Sequence, residues 1–300
     1  MNRRLVEDAP DSRRRLTGIV LVFLSTIAWS SGGLFVRLLP YDMWTIMFWR
    51  GLFGTLFIGA FVLWRFGAAT GAIIRRMGRM GMLITACSVA TITFFVPAFQ
   101  HTSIANAMTI YAALPFFTAA AAWLWLGERP SGVTMLASAF VLLGIWVMLG
   151  PSTGGPQLGD GFAALATMSM ALMTVAIRQS RDVEMLPVAA LSTAVSALIA
   201  VPLAGDLLAL SGRDLVVAAG FGLGPMTLGL MFYVIGSALI PSTLAALIGT
   251  LEAPFGTFWG WLGAGEVPRL ETVIGGAIVV SAVAIRILIE RRAVGSDPAV

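Results

Sequence analysis

Ten apolar runs, each near the length of a bilayer crossing, constrain this 300-residue chain more than any motif does. They fall at roughly 16–36, 43–64, 80–99, 104–126, 132–149, 159–177, 186–203, 215–235, 242–263 and 272–289. A helix needs about 20 mainly apolar residues to cross the hydrocarbon core. Turn signals such as Pro40-Tyr41-Asp42 and a Gly/Pro-rich 150–161 stretch separate the runs. No run alternates in the manner of a barrel strand, and each is about twice as long as one. The expected fold class is an all-α membrane protein with ten transmembrane helices. Only 11% of the residues are charged and 58% are hydrophobic. A soluble domain carries about 25% charged residues, so lipid is the solvent for most of this chain. Arg13, Arg14 and Arg15 precede the first run, which is too long for a signal-peptide core and reads as an uncleaved span.

The polar residues exclude several classes of chemistry. All 19 basic residues are arginine, so there is no lysine for a Walker-type phosphate loop. A single cysteine, Cys87, and a single histidine, His101, make neither an intrachain disulfide nor a Cys/His zinc site. No metal, cofactor or nucleic acid is expected. The expected partners are a small-molecule substrate and membrane lipid, with no obligatory protein partner evident. With the N-terminus inside, Arg37, Arg213 and Arg269 fall outside, Arg50 lies within a run, and the other 15 of the 19 arginines fall inside. That bias places both termini in the cytoplasm of a bacterial-type inner membrane.

The chain also repeats itself. Trp123-Leu124-Trp125-Leu126-Gly127-Glu128-Arg129-Pro130 shares W-L-x-x-G-E-x-P with Trp261-Leu262-Gly263-Ala264-Gly265-Glu266-Val267-Pro268, at an offset of 138 residues. Phe95 and Tyr233 match at the same offset, while Gly18, Thr26 and Arg37 match Gly159, Thr167 and Arg178 at 141. The expected organisation is a 1–15 tail, a five-helix repeat over 16–149, a 150–158 linker, a second five-helix repeat over 159–290 and a 291–300 tail. Five crossings is an odd number, so the two repeats insert with opposite orientation. Inverted repeats of this kind bind substrate near the midplane and expose it to each side in turn. Each Gly-Glu-x-Pro also reads simply as a helix end.

These features resemble the drug/metabolite transporter superfamily, in its ten-span EamA type, across nearly all of 16–290. The resemblance rests on Gln100-His101-Thr102-Ser103-Ile104-Ala105-Asn106-Ala107, Leu114-Pro115, the two Gly-Glu-x-Pro ends, Arg50 and Leu251-Glu252-Ala253-Pro254. Within the superfamily the chain is similar to the YddG-like aromatic amino-acid exporters. The resemblance implies a secondary transporter of small metabolites. Pro115 precedes Glu128 by 13 residues but Pro254 precedes Glu266 by 12, so the repeats slip by one position there.

Several residues are candidates for that chemistry. Thr26, Ser30, Gly33 and Arg37 share a helical face, repeated as Thr167, Ala171, Thr174 and Arg178. Such a face suits close packing or a wet cavity. Trp29 beside it can wall an apolar substrate, as can Tyr111, Tyr233, Met168 and Met170. Pro115 and Pro254 free the carbonyls of Tyr111 and Thr250, which then need a partner or a polar cavity. Two charges lie inside runs. Arg50 sits about 10 Å from the end of its run and can snorkel outward. Glu252 lies mid-run, where it can exchange protons, bind an ammonium group, or pack as a neutral residue. Arg50, Glu252 and His101 are the coupling or gating candidates. Gln100, Thr102 and Asn106 read as a cap on span four.

The cavity is expected among spans one, three, four, six, eight and nine, with five and ten at the sides. The substrates expected are small, largely apolar metabolites, first of all aromatic or hydrophobic amino acids, exported by alternating access. The alternative is export of drug-like organic cations against Glu252. An intramembrane enzyme is the weaker reading. Gly150-Pro151-Ser152-Thr153-Gly154 has the letters of a nucleophile elbow but not its strand-to-helix setting.

Overall fold

A computed structural model describes residues 4–127, 129–130, 132–149, 157–180, 183–207, 210–240 and 242–295. Glu128, the Gly150–Gly154 pattern and most of the linker lie outside the described residues. The described secondary structure is helical: α1 (Arg4–Ser30), α2 (Gly32–Leu38), α3 (Met43–Phe66), α4 (Thr70–Arg76), α5 (Gly78–His101), α6 (Ile104–Ala112), α7 (Leu114–Leu126) and α8 (Gly132–Leu149). There follow α9 (Leu158–Gln179), α10 (Met185–Ala200), α11 (Gly212–Phe221), a π-helical segment (Gly222–Leu228), α12 (Gly229–Ser237), α13 (Ser242–Gly249), α14 (Glu252–Ala264) and α15 (Leu270–Gly295). The presumed tails are helical where described, continuous with α1 and α15.

The apolar runs become helices of unequal length. Five are long and apolar enough to cross a membrane: Arg13–Leu38, Met43–Arg76, Gly78–His101, Leu158–Gln179 and Gly212–Ser237. A sixth candidate is the pair α6 and α7, bent by 44°. Gly132–Met148, Met185–Ala200 and Leu270–Ile285 are shorter apolar helices. The bends follow the sequence. Pro115 cannot donate to the carbonyl four residues earlier, and the helix breaks at Ala113. Pro254 has the same effect between α13 and α14. Large apolar side chains such as Trp64 (81% exposed) and Leu124 (80%) stud the outside, a surface suited to lipid rather than water.

Local chemistry sets the helix ends. Asp42 Oδ1 accepts from the backbone of Trp44 (2.9 Å) and Thr45 (3.1 Å) to start α3. Gln157 and Asp160 form a reciprocal capping box on α9. Both motif glycines close a helix in the left-handed region, Gly127 at φ 71° and Gly265 at φ 68°. The helix-end reading of W-L-x-x-G-E-x-P thus explains its glycine.

The helices pack most extensively as α5 with α9, α3 with α10, α8 with α15, and α1 with α12, followed by α7 with α9 and α6 with α14. Where α8 meets α15 the backbones nearly touch. A Cβ on Gly144 would stand 2.7 Å from the Gly275 carbonyl oxygen and 2.9 Å from Val279. Gly144→Ala should therefore force the two helices apart at a cost of about 1–3 kcal/mol. Gly161, on a helix with nothing within 4 Å, is the control. Its replacement by Ala should leave stability unchanged or raised, because alanine favours helix by up to about 1 kcal/mol. Melting of the detergent-solubilised protein reads both.

Candidate functional site

The two broken helices converge on a cavity of about 690 Å³. Tyr111 and Ala112 end α6 at its wall, and Gly249, Thr250 and Glu252 line it where α13 gives way to α14. Trp29 and Tyr233 form an aromatic side, their rings 5.0 Å apart. Gly229 makes room for that pair, since a Cβ there would lie 2.6 Å from Trp29 Cδ1. Phe95 of α5 packs edge-on behind Tyr111 at 5.6 Å. Thr118, Thr134 and Thr174 add hydroxyls, and Arg129 and Arg178 add positive charge at one end. Glu252 is the acidic residue of the lining. Its carboxylate has no hydrogen bond or ion pair among the described residues.

At the opposite end the helices close. Asp160 and Arg178 both lie on α9, eighteen positions apart, which is about 27 Å of helix. Around Asp160 the polar groups are fully engaged. Arg37 pairs with Glu266 at 2.5 Å. Glu266 Oε2 accepts from the Ile104 N–H at 2.8 Å, and Arg37 Nη2 donates to the Thr102 carbonyl at 2.8 Å. Thr102 Oγ1 donates to Asp160 Oδ1 at 2.7 Å. Below this knot α1 and α2 form a seam with α14. Trp259 Nε1 donates to Ser30 Oγ at 3.1 Å, and Gly263 admits Leu34. Residues 30, 34 and 37 and residues 259, 263 and 266 each recur on a single helical face. A smaller cavity of about 230 Å³ lies at this end, lined among others by Asn106, Thr257, Gly260, Glu266, Pro268, Arg269 and Thr272. In the neighbouring loop Tyr41 donates to Asp214 at 2.8 Å. The hydroxyls of Ser211 and Tyr41 hold that carboxyl below its usual range.

Of the residues singled out from sequence, Trp29, Tyr111, Pro115, Tyr233, Thr250 and Glu252 line the large cavity. Thr26 and Thr167 are buried, their hydroxyls donating to the carbonyls of Val22 and Ala163 on their own helices. Ser30 belongs to the seam. Met168 lies off the lining, while Met170 is on it. His101 is exposed at the end of α5, its ring 6.2 Å from that of Phe162. Arg50 does not snorkel: it is 2% exposed, with its Cζ 5.2 Å from the Phe221 ring centre. The cap of α6 is Ser103, whose hydroxyl accepts from the Asn106 N–H. Gln100 instead donates to the Tyr41 carbonyl, and Asn106 accepts from Thr272. Two placements correct the expected lining. Span three contributes no lining residue, because α5 lies against α9, and spans five and ten contribute Thr134 and Val283. Thr118, Thr134 and Arg129 were not among the sequence candidates, whereas Thr174 and Arg178 of the repeated face do line the cavity. Thr118 follows Pro115 by one helical turn, and that was the available signal.

Comparison with known proteins follows the same lines. The pseudopaline exporters CntI of two Pseudomonas aeruginosa strains are each 27% identical to this chain over 242 residues, covering 79% of it and 83% of the exporter. One crystal structure shares the fold at a TM-score of 0.62 and 20% identity, covering 95% of this chain and 99% of that one. The EamA-like transporter family matches residues 16–150 and again residues 157–288. With both halves of the chain matched, this multi-pass membrane protein belongs to the EamA-like transporter family.

Proposed function

We propose that the chain is a ten-span secondary transporter of the inner membrane, made of two inverted five-helix repeats, that exports small metabolites, first of all aromatic or hydrophobic amino acids, by alternating access. The helix pairing supports the repeat. Exchanging the halves turns the α1–α12 pair into α9–α5 and maps α3–α10 and α8–α15 onto themselves. One observation carries the alternating-access reading. Ala122, Pro130 and Thr134 line the 690 Å³ cavity, and Gly260, Pro268 and Thr272, at the repeat offset of 138, line the 230 Å³ one. Thr118 and Thr257 correspond at 139, the offset of Pro115 and Pro254. Equivalent residues thus form an open chamber at one end and a contracted one at the other, as expected when the repeats exchange conformations.

By the arginine bias, the open end faces the cytoplasm, the side from which an exporter loads. The relatives named as pseudopaline exporters support the outward direction. The cavity chemistry supports the substrate class: aromatic walls, hydroxyls, and Glu252 as counter-charge for an ammonium group. Purified protein in liposomes should exchange labelled phenylalanine or leucine against an internal pool. Exchange of a lipophilic cation with no amino-acid exchange would replace this substrate class with organic cations. Topology is tested by thiol labelling of Arg129→Cys and Arg269→Cys in a Cys87→Ala background. Opposite sides are expected, and a shared side removes the inverted repeat.

A further inference from the structure

Arg50 is the residue that the central cavity leaves unexplained. It is fully enclosed on α3, and its Nε and Nη2 have no hydrogen-bond partner among the described residues. A buried charge is ordinarily paired. Were packing its sole task, methionine or leucine would fill the space without the desolvation penalty. What covers the guanidinium is a ring, Phe221, with its centre 5.2 Å from Cζ. Phe221 is stacked in turn on Phe35 at 5.3 Å and 11°. On its span-one side there is slack: a Cβ on Gly32 would sit 3.9 Å from Phe221 Cε2.

The backbone beside Phe221 supplies a second, independent observation. Phe221 is the last residue of α11, and the π-helical segment Gly222–Leu228 begins immediately after it. Wide turns of this kind are rare and collect at functional sites. This one contains Pro225, is closed by Thr227 Oγ1 donating to the Gly222 carbonyl at 2.9 Å, and packs on α3 through Gly222 against Phe53 and Gly54. Taking up its extra residue as ordinary α-helix turns the preceding residue by about 100° around the axis. That rotation carries Phe221 off the guanidinium.

We propose that Arg50 is a masked carboxylate site, closed by Phe221 in this conformation and opened to a substrate carboxylate when the π-helical segment relaxes. It is a second station, nearer the Arg37–Glu266 end than Glu252, occupied as the substrate leaves. The planar guanidinium presents paired donors that match a carboxylate, and Nε and Nη2 are buried without a partner among the described residues. Phe221 and Gly222 act through Arg50 and position it.

The proposal rests on the reading of the chain as a carrier of amino-acid-like metabolites, and the test separates the two. Binding of 3-phenylpropionate, phenethylamine and sodium chloride to the detergent-solubilised protein is followed by thermal shift. Phenylalanine exchange in liposomes is measured in parallel. Wild type should be stabilised by 3-phenylpropionate and not by chloride. Arg50→Gln should lose that response at least tenfold, and Arg50→Lys should keep part of it. Phe221→Leu should strengthen it at least threefold by unmasking the site, a gain that general loosening of the fold does not produce. A response absent in wild type, shared by chloride, or unchanged in Arg50→Gln overturns the proposal. An Arg50-dependent response without phenylalanine exchange keeps the site and removes the amino-acid reading instead.

Discussion

Replacing Glu252 by glutamine is expected to cut exchange of amine-bearing substrates by about thirtyfold or more. Glutamine keeps the volume and the hydrogen-bonding atoms, so the variant isolates the charge. The carboxylate lines the cavity where α13 gives way to α14 and has no ion pair among the described residues. An ammonium group placed there supplies the missing partner, and losing one member of a buried charge pair costs about 2–5 kcal/mol. At about 1.4 kcal/mol per tenfold, that is a loss of roughly thirty- to several-thousand-fold. Stability should hold or rise, because a half-buried charge without an ion pair among the described residues has been removed. Labelled phenylalanine exchange and a melting curve on the same preparation give both readouts. Undiminished exchange removes Glu252 from the site.

The second large effect is expected from Glu266→Ala. In this structure Glu266 ties Arg37 on span one to the start of α6 through one ion pair and one backbone hydrogen bond. The pair is partly exposed, at 30% and 22% for the two side chains, so its charge attraction is discounted for solvent. The charge-assisted bonds to Ile104 and Arg37 still account for about 2–3 kcal/mol together. Their loss should shift the balance towards the conformation open at this end by about thirtyfold or more. Asn106→Cys, in the wall of the smaller cavity and in a Cys87→Ala background, should then react faster with a maleimide applied outside. The exchange Arg37→Glu with Glu266→Arg should slow labelling again only in part, because it rebuilds the ion pair but leaves the Ile104 N–H and the Thr102 carbonyl without those partners. Equal labelling rates in all three backgrounds remove the lock.

The helical spans were legible in the sequence because lipid demands long apolar runs and proline breaks them in a known way. The wall residues were legible only in part. Thr26 and Thr167 look from sequence like cavity hydroxyls, yet both donate back to their own helices. That choice depends on which face meets a neighbour, and hydropathy in a buried bundle is nearly the same all round. Met168 and Met170 differ by about 200° around the helix, so a small error in the facing direction exchanges one for the other. The Arg37–Glu266 pair joins residues far apart in the chain and requires knowing that span one meets span nine. The π-helical turn was invisible, since Gly222–Leu228 carries the letters of any glycine- and proline-bearing span.

The contracted chamber beside Asn106 and Thr272 has an electrical consequence. A polar space of its size holds several waters. Water filling that space and the large cavity would leave the Ser30–Trp259 to Arg37–Glu266 seam as the insulating layer between them. Seven residues of helix separate Ser30 from Arg37, about 10 Å, against about 30 Å for the hydrocarbon core. Most of the membrane voltage therefore falls across that thin septum, and a charged cargo feels it in one short step.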